Sequence, residues 1–144
     1  MTSSCSDCSR RAVLKGLGLA VLSACGNPTP SSGTATTCGA NLCLDVTDPA
    51  NTMLQAAGGA VAVDTDSDTI LVVRVSDTQV AAVSAICTHD SCENLYTPSA
   101  MTFDCPCHGS KFSLTGQVLR GPARRALKTY AATLSGTTIT VTLA

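Results

Sequence analysis

Two short stretches decide the fold of this chain: Cys87-Thr88-His89-Asp90-Ser91-Cys92 and Cys105-Pro106-Cys107-His108-Gly109-Ser110. The sequence contains only two histidines, and each lies at metal-ligand spacing from a cysteine, as Cys87-x-His89 and as Cys105-x-x-His108. Two thiolates and two imidazoles make a four-ligand set that suits a soft or borderline metal. The two stretches therefore predict a metal centre held between two loops.

Two kinds of centre fit this ligand set. A structural zinc accepts thiolate and imidazole in a tetrahedron, but the first ligand pair of a zinc finger is usually spaced as Cys-x2–4-Cys and not as Cys-x-His. A Rieske [2Fe–2S] cluster takes two cysteines on one iron and two histidines on the other. The interleaved order, with one cysteine and one histidine in each loop, favours the cluster, and a structural zinc is the alternative.

The two loops resemble those of the Rieske iron–sulfur family. The closest likeness is to its disulfide-containing branch, that of cytochrome bc complexes and the arsenite oxidase small subunit, where the loops read approximately C-T-H-x-G-C and C-P-C-H-G-S. The likeness covers about residues 59–144. It implies one bound [2Fe–2S] cluster, with Cys87 and Cys105 on one iron and with His89 and His108 on the other.

The same resemblance assigns roles to neighbouring residues. It implies a disulfide between Cys92 and Cys107 that ties the loops together, and a Ser110 hydroxyl that points at a bridging sulfide.

Ser91 stands where the family pattern has glycine, and Phe112 and Asp90 depart from the pattern as well. Phe112 stands where a tyrosine often donates to a cysteine ligand, which predicts a lower potential. Asp90 stands where the respiratory proteins often have leucine, and its charge disfavours an apolar quinol-docking surface. The alternative is a solvated loop aspartate without a role.

Residues 1–24 are predicted to be an export signal. The stretch around Arg10 and Arg11, Ser9-Arg10-Arg11-Ala12-Val13-Leu14-Lys15, resembles a twin-arginine signal, and an apolar run over residues 16–24 follows it. That run is about half of the roughly 20 residues that span a bilayer, so it is typical of a signal segment and not of an anchor. Leu22-Ser23-Ala24-Cys25 resembles a lipobox, which predicts lipidation of Cys25. An ordinary secretory signal and a chance cysteine are the alternatives.

The sequence after the signal divides into two parts. Residues 25–41 are predicted to be the lipid attachment site and a flexible tether, because they are rich in Pro, Ser, Thr and Gly and carry no charge. Residues 42–144 are predicted to form the Rieske [2Fe–2S] domain. Of the nine cysteines in the chain, Cys38 and Cys43 are left as a possible second disulfide in an oxidising compartment, with two free thiols as the alternative.

The rest of the chain predicts an all-β fold. Apolar and β-branched runs separated by polar or glycine-containing turns are typical of short strands, and they occupy residues 60–63, 70–75, 79–84, 112–114, 117–119, 130–134 and 138–143. No stretch after the signal has convincing helical periodicity. Together with the resemblance, this predicts an antiparallel β-sandwich that carries a small cluster-binding subdomain formed by the two ligand loops.

A third loop and a group of basic residues accompany the ligand loops. Gly121-Pro122-Ala123 resembles the proline loop that shields the cluster in this family, with Arg124 where the family often has another proline. Five of the six basic residues after the signal lie late in the chain, at Lys111, Arg120, Arg124, Arg125 and Lys128. They are candidates for a docking face toward an acidic electron acceptor, and an ordinary solvated face is the alternative.

Charge and residue inventory limit the possible functions. Residues 25–144 carry six basic and nine acidic side chains, a net charge of −3, which gives no electrostatic footprint for nucleic acid. Both histidines are assigned as ligands, so no histidine is left as a general base. We therefore expect an exported one-electron carrier without an independent catalytic site, anchored by lipid on the periplasmic side of a bacterial membrane.

The expected partner is a redox protein, namely a cytochrome, a quinol-oxidising complex or the large subunit of a periplasmic oxidase. Two other functions fit the same residues. The chain is alternatively the small Rieske subunit of such an oxidase or quinol-oxidising complex, or a structural zinc protein of the cell envelope.

Overall fold

The computed structural model describes residues 30–143, so that the predicted signal with Arg10 and Arg11 and the predicted lipidation site Cys25 lie outside the described residues. Within this range the chain forms strands and one 3₁₀ helix, Pro49–Gln55. In chain order the strands are β1 Ser31–Ser32, β2 Thr36–Cys38, β3 Asn41–Asp45, β4 Ala60–Asp64, β5 Thr69–Arg74, β6 Val80–Ser84, β7 Leu95–Thr97, β8 Thr102–Asp104, β9 Lys111–Ser113, β10 Val118–Arg120, β11 Thr129–Tyr130, β12 Ala132–Ser135 and β13 Thr138–Thr142.

The strands form three sheets. A central sheet has the order β1-β4-β5-β6-β11, an outer sheet has the order β12-β13-β3-β2, and a third sheet, the ligand-loop sheet, has the order β10-β9-β8-β7. Neighbouring strands are antiparallel except for β1 and β4, which pair in parallel. The predicted all-β fold, with an antiparallel sandwich and a small subdomain that carries the ligand loops, is confirmed.

Strand β5 shows why the central sheet is the middle layer. Its side chains Ile70 and Val72 pack into a core shared with the outer sheet, whereas Leu71 and Val73 pack into a second core shared with the ligand-loop sheet. Because both faces of β5 are buried, its sequence does not alternate between apolar and polar residues. This accounts for the unbroken apolar run from Ile70 to Val73.

Most predicted strands are confirmed, and one is divided. Residues 130–134 were predicted as one strand, but the chain changes sheets there, with β11 in the central sheet and β12 in the outer sheet. The connecting Ala131 carbonyl accepts a hydrogen bond from the N–H of Thr142 in β13. Strands β1, β2, β3, β7 and β8 were not predicted. Four of them have only two or three residues, too few for an alternating pattern to be recognised, whereas the equally short β9 and β10 were predicted from the glycine-containing turn between them.

The prediction of a flexible tether over residues 25–41 is wrong for residues 31–38. There β1 pairs with β4 and β2 pairs with β3. Between β1 and β2 the buried Asn51 holds the backbone of Thr34, because its side chain donates to the carbonyls of Thr34 and Asp45 and accepts from the Thr34 N–H. A polar, uncharged segment becomes ordered where a buried side chain satisfies its backbone. The folded domain therefore includes residues well before position 42.

A disulfide joins Cys38 to Cys43, which confirms the second predicted pair. The two residues lie at the turn between β2 and β3, where Cys38 pairs with Asn41 in the antiparallel register. The bridge closes the hairpin that brings the early segment into the outer sheet.

The 3₁₀ helix was not predicted from the sequence. It begins after Asp48, whose carboxylate accepts a hydrogen bond from the Ala50 N–H, and proline occupies its first turn. A 3₁₀ segment has three residues per turn and is usually short, so it leaves no 3.6-residue pattern to detect. Among residues 30–143 no helix has the length and hydrophobicity needed to cross a membrane.

Candidate metal centre

The two ligand loops have the same backbone hydrogen bonds. The first ligand loop, residues 87–92, follows β6, and the second, residues 105–110, follows β8. In each loop the N–H of the leading cysteine donates to the carbonyl five residues later, at 2.7 Å to Cys92 and at 2.8 Å to Ser110. The carbonyl of the same cysteine accepts from the N–H four residues later, at 3.1 Å from Ser91 and at 3.0 Å from Gly109. The centre is thus built from two similar loops.

The four predicted ligand residues occupy two levels. Cys87 and Cys105 lie at the base, each with 2% of its surface exposed, among the apolar side chains of the second core. His89 and His108 are exposed at the tip, with ring centroids 5.0 Å apart and ring planes nearly perpendicular. The fold therefore separates the thiols from water and leaves the imidazoles at the surface.

The disulfide between Cys92 and Cys107 confirms the predicted bridge between the two loops. The sulfurs of Cys92, Cys105 and Cys107 all lie within 4.8 Å of one another. Two of them are consumed by the disulfide and cannot act as thiolate ligands. In the described part of the chain Cys87 and Cys105 are the free cysteines, and they are the ones available to a metal.

The surroundings of Cys105 suit a sulfur ligand. Burial raises the pKa of this thiol, and the neighbouring Cys87, which hydrogen-bonds to it, acts in the same direction. The backbone N–H groups of Cys107 and His108 also hydrogen-bond to Cys105 and lower its pKa, without reversing the shift. The raised pKa keeps the Cys105 thiol protonated in the absence of a metal, whereas a bound metal deprotonates its thiol ligands. The N–H donors then stabilise the thiolate.

A third segment, the proline loop of residues 121–125, is attached to both ligand loops. The buried Ser110 hydroxyl accepts a hydrogen bond from the Ala123 N–H at 3.0 Å. The Thr88 hydroxyl donates to the Arg125 carbonyl at 2.6 Å. The sequence suggested a shielding loop through its Gly-Pro signal, but it gave no sign of these two hydrogen bonds, because they join residues far apart in the chain.

The serine hydroxyl retains a proton for a further partner. Among the described residues, the hydrogen-bond partner of the Ser110 hydroxyl is the Ala123 N–H. The hydroxyl is the acceptor in that bond. A hydroxyl has one donor and two acceptor sites. The donor site of Ser110 is therefore left for a group such as a sulfide, as the resemblance implies.

Phe112 and Asp90, which both depart from the family pattern, have opposite environments. Phe112 is fully buried and pairs with Phe103 across β8 and β9. Asp90 is 62% exposed at the loop tip, with one carboxylate oxygen 3.7 Å from Nδ1 of His108. That distance and exposure make it a weak, solvent-screened contact.

The donor set fits a mixed-ligand [2Fe–2S] cluster. Two reduced thiols lie together at the dry base, two imidazoles lie together at the tip, and a buried hydroxyl has a proton to donate. The remaining described cysteines are held as disulfides and do not compete for the metal.

Comparison with known proteins agrees with this geometry. The family profile of the Rieske [2Fe–2S] domain matches residues 46–131. A cytochrome b6-f complex iron-sulfur subunit of Chlorobaculum thiosulfatiphilum is 37% identical over 79 residues, which are 55% of this chain and 43% of that protein. The crystal structure of the cyanobacterial plasma membrane Rieske protein PetC3 from Synechocystis PCC 6803 is 40% identical, with a TM-score of 0.54 over 58% of this chain and 85% of that one.

A more distant structure shares the fold alone. The ferredoxin of carbazole 1,9a-dioxygenase from Nocardioides aromaticivorans IC177 is 24% identical, with a TM-score of 0.55 over 79% of this chain and 97% of that chain. The chain spans less than half the length of the cytochrome b6-f relative, so what that whole protein does is not transferred by the match.

Proposed function

The chain belongs to the Rieske [2Fe–2S] domain family, which implies one such cluster, and from this membership we propose that it is a one-electron carrier. The observation that carries the proposal is the division of the candidate ligands between a buried base, Cys87 and Cys105, and an exposed tip, His89 and His108. When bound, a Rieske cluster accepts and returns one electron at roughly −150 to +300 mV.

Each group of residues has a distinct part in this proposal. Cys87 and Cys105 would hold one iron at the buried base, where hydrogen bonds to their sulfurs would influence the potential. His89 and His108 would hold the other iron at the exposed tip, within reach of a partner. The Cys92–Cys107 disulfide keeps the loops at a fixed separation, so little rearrangement accompanies the change of charge.

We also propose export and lipid anchoring, with residues 1–24 as a twin-arginine signal carrying Arg10 and Arg11 and with Cys25 as the lipidated residue. Five residues lie between Cys25 and the start of β1 at Ser31, and a flexible chain of that length would reach roughly 12 Å. This reach is shorter than that of the tether predicted over residues 25–41, because the folded domain already begins at β1. The folded domain would therefore stay close to the membrane surface.

The topology orients the proposed anchor. Ser31 pairs with Val61, near the beginning of β4, and β1 runs parallel to that strand. The ligand loop leaves the end of β6, and Ser84 there pairs with Ile70 at the beginning of β5. The chain thus enters the central sheet from the end opposite the ligand loops. An anchor at Cys25 would hold the histidine tip away from the membrane.

A second candidate function is that of a fixed subunit in a membrane complex of the cytochrome b6-f kind or in a periplasmic oxidase. The name of the 37% identical relative favours the first of these. The charged Asp90 at the loop tip argues against an apolar quinol pocket around the histidines. Purification from native membranes distinguishes the two, because a fixed subunit is recovered with its large partner and a carrier is recovered alone.

The central experiment is a metal and redox analysis of the full chain. We expect two irons and two sulfides per protein and an electron paramagnetic resonance signal after dithionite reduction. A variant that combines Cys87→Ser with Cys105→Ser should lose the signal, whereas the matched Cys38→Ser/Cys43→Ser variant should keep it. A colourless protein with one zinc and no iron would refute the proposal and favour the zinc alternative.

Anchoring has its own experiment. Intact-mass analysis of the protein from membranes should find a diacylglycerol-modified Cys25 as the first residue, and Cys25→Ala should release the protein into the soluble fraction. Replacing Arg10 and Arg11 by lysine should leave unprocessed chain inside the cell. Unmodified Cys25 in a processed membrane protein would contradict the lipid anchor.

A further inference from the structure

We propose that Arg124 and Arg125 form a docking site for a carboxylate-rich protein surface next to His89, so that the electron partner of this chain is an acidic redox protein. The inference deepens the proposed function and rests on it, because docking there has a purpose only if an electron leaves through the histidine tip. It selects one chemical class of partner among those that the sequence left open.

The placement of the two arginines carries the proposal. Arg124 and Arg125 line a shallow depression together with Thr88, His89 and Pro122. The depression therefore places an exposed candidate ligand beside two arginine residues. A partner that fills it touches both the arginines and the imidazole edge.

The backbone under the arginines is held in place. The Arg125 carbonyl accepts the 2.6 Å hydrogen bond from Thr88 in the first ligand loop. The N–H of Ala123, which precedes Arg124, donates to Ser110 in the second ligand loop. Because the proline loop is attached at both points, the arginines keep their position relative to the metal centre. Such preorganisation reduces the entropy lost when a partner binds.

The charges are available to a partner. Both arginines are exposed, and the ion pairs of the described residues are His108 with Asp90 and Lys111 with Asp104, so neither arginine is neutralised within residues 30–143. A guanidinium presents a planar fork of donors that matches a carboxylate. Two adjacent forks suit a cluster of aspartate or glutamate side chains.

The rest of the surface makes this site selective. Residues 25–144 carry a net charge of −3, so an acidic partner is repelled by most of the molecule and attracted only where positive charge is concentrated. At the tip, Asp90 lies beside His108, whereas the arginines share a depression with His89. The tip is therefore polarised, and an acidic partner is directed to the His89 side.

The electron step that docking serves is simple. One electron leaves the reduced centre and one oxidised metal centre of the partner is reduced, and no bond is formed or broken. Electrostatic steering of this kind raises association rates by about 10- to 1000-fold at low salt. It weakens as the Debye length falls from about 30 Å at 0.01 M to about 3 Å at 1 M.

The experiment measures oxidation of the dithionite-reduced full-length holoprotein by stopped flow. Three oxidants are used: ferricyanide, which is an anion, tris(phenanthroline)cobalt(III), which is a cation, and a c-type cytochrome of acidic surface. The test variant is Arg124→Gln/Arg125→Gln. The matched control is Arg120→Gln/Lys128→Gln, which removes the same charge from exposed residues outside the depression.

At low ionic strength the test variant should react about tenfold more slowly with ferricyanide and with the acidic cytochrome, and no more slowly with the cobalt complex. The difference should disappear at about 1 M salt. The control variant should stay within about twofold of the natural chain. Equal slowing by the control, or unchanged rates in the test variant, would overturn the proposal.

Two further outcomes are distinguishable. Slowing with ferricyanide but not with the acidic cytochrome would indicate a small-anion site and reject protein docking. A natural chain without a cluster signal would refute the proposed function itself, whereas an intact signal with unchanged rates rejects the docking site alone. Midpoint potentials of all variants are measured alongside, so that a change in driving force is not mistaken for a change in docking.

Discussion

Ser91 in the first ligand loop and Gly109 in the second hold equivalent backbone positions. Each N–H donates to the carbonyl of the cysteine four residues earlier, and each residue has a positive φ, 52° for Ser91 and 75° for Gly109. Glycine adopts this conformation at no steric cost, whereas a serine there is strained. The first loop thus carries strain that the second avoids.

Replacing Ser91 by glycine should relieve that strain. Relief of about 1–3 kcal/mol of backbone strain exceeds the roughly 0.5–1 kcal/mol that the extra conformational freedom of glycine costs, so we expect Ser91→Gly to stabilise the folded protein, measured as a higher midpoint of thermal unfolding. Gly109→Ser is the matched reverse change, and it should destabilise through the backbone alone, because a Cβ at Gly109 meets no atom within 4 Å. A lower midpoint for Ser91→Gly would contradict this account.

Removing the disulfide between the ligand loops should affect both stability and the metal centre. Cys92 and Cys107 are 15 residues apart and Cys38 and Cys43 are 5 apart. Loop-closure entropy then predicts losses of about 3 and about 2 kcal/mol when each pair is replaced by serine. Only the first variant should also lose the cluster signal on mild heating, which spectroscopy during thermal unfolding would detect. If both variants lost the signal equally on heating, the loss would come from general destabilisation and not from the absence of the Cys92–Cys107 bridge.

Ser110→Ala should lower both stability and potential. The variant leaves the buried Ala123 N–H without its acceptor, which costs about 1–3 kcal/mol. If the hydroxyl donates to the cluster as the family resemblance implies, the variant also removes a hydrogen bond that favours the reduced form. Denaturant unfolding and a redox titration measure the two effects, and Ser99→Ala in the exposed turn before β8 serves as the control. An unchanged potential would mean that the hydroxyl does not reach the cluster.

Phe112→Tyr should raise the midpoint potential. A tyrosine hydroxyl at this position would donate to a cysteine ligand, and a hydrogen bond worth about 1 kcal/mol corresponds to roughly 40 mV for a one-electron couple. The control is Phe103→Tyr, since Phe103 is equally buried and pairs with Phe112 in the same sheet. The midpoint potentials are measured by redox titration. If they shift equally in the two variants, the cause is the added polarity and not a hydrogen bond to a cysteine ligand.

Tyr130 predicts a loss of stability at alkaline pH. Burial, followed by the hydrogen bond that its hydroxyl donates to Asp68 at 2.6 Å, raises the pKa of Tyr130. The protonated phenol is therefore favoured by folding. Its contribution is complete below about pH 10, the ordinary tyrosine pKa, and is lost as the pH rises through the higher pKa of the folded state.

Tyr130→Phe should accordingly destabilise the protein by roughly 1–3 kcal/mol at pH 7 and weaken the alkaline loss, as measured by thermal unfolding between pH 7 and pH 11. Tyr96→Phe is the control. Burial also raises the pKa of Tyr96, but the hydrogen bonds of the described residues do not include its hydroxyl, so its removal should matter little at pH 7. Equal destabilisation by both changes at pH 7 would refute the role of the Asp68 hydrogen bond.

Much of the site was readable from local sequence. The spacing of Cys87 to His89 and of Cys105 to His108 indicated the metal centre, and the resemblance implied the Cys92–Cys107 bridge that the structure contains. Strands β4, β5, β6 and β13, with five or six residues each, were also predicted from their apolar or alternating runs, whereas the equally long β3 was not. The three-residue strands β9 and β10 were predicted from the glycine-containing turn between them, but β1, β2, β7 and β8 were not, since so short a run carries no period of its own.

The sequence by itself determined which donor atoms exist, how they are spaced and which charges surround them, because these properties are fixed along the covalent chain. Tertiary structure alone decided that the thiols are buried while the imidazoles are exposed, that Asn51 hydrogen-bonds to the backbone of Thr34, and that Arg124 and Arg125 share a depression with His89. The physical reason is that burial and long-range hydrogen bonds depend on which sheets pack together. That packing joins residues, such as Thr88 and Arg125, whose separation in the chain leaves no local pattern.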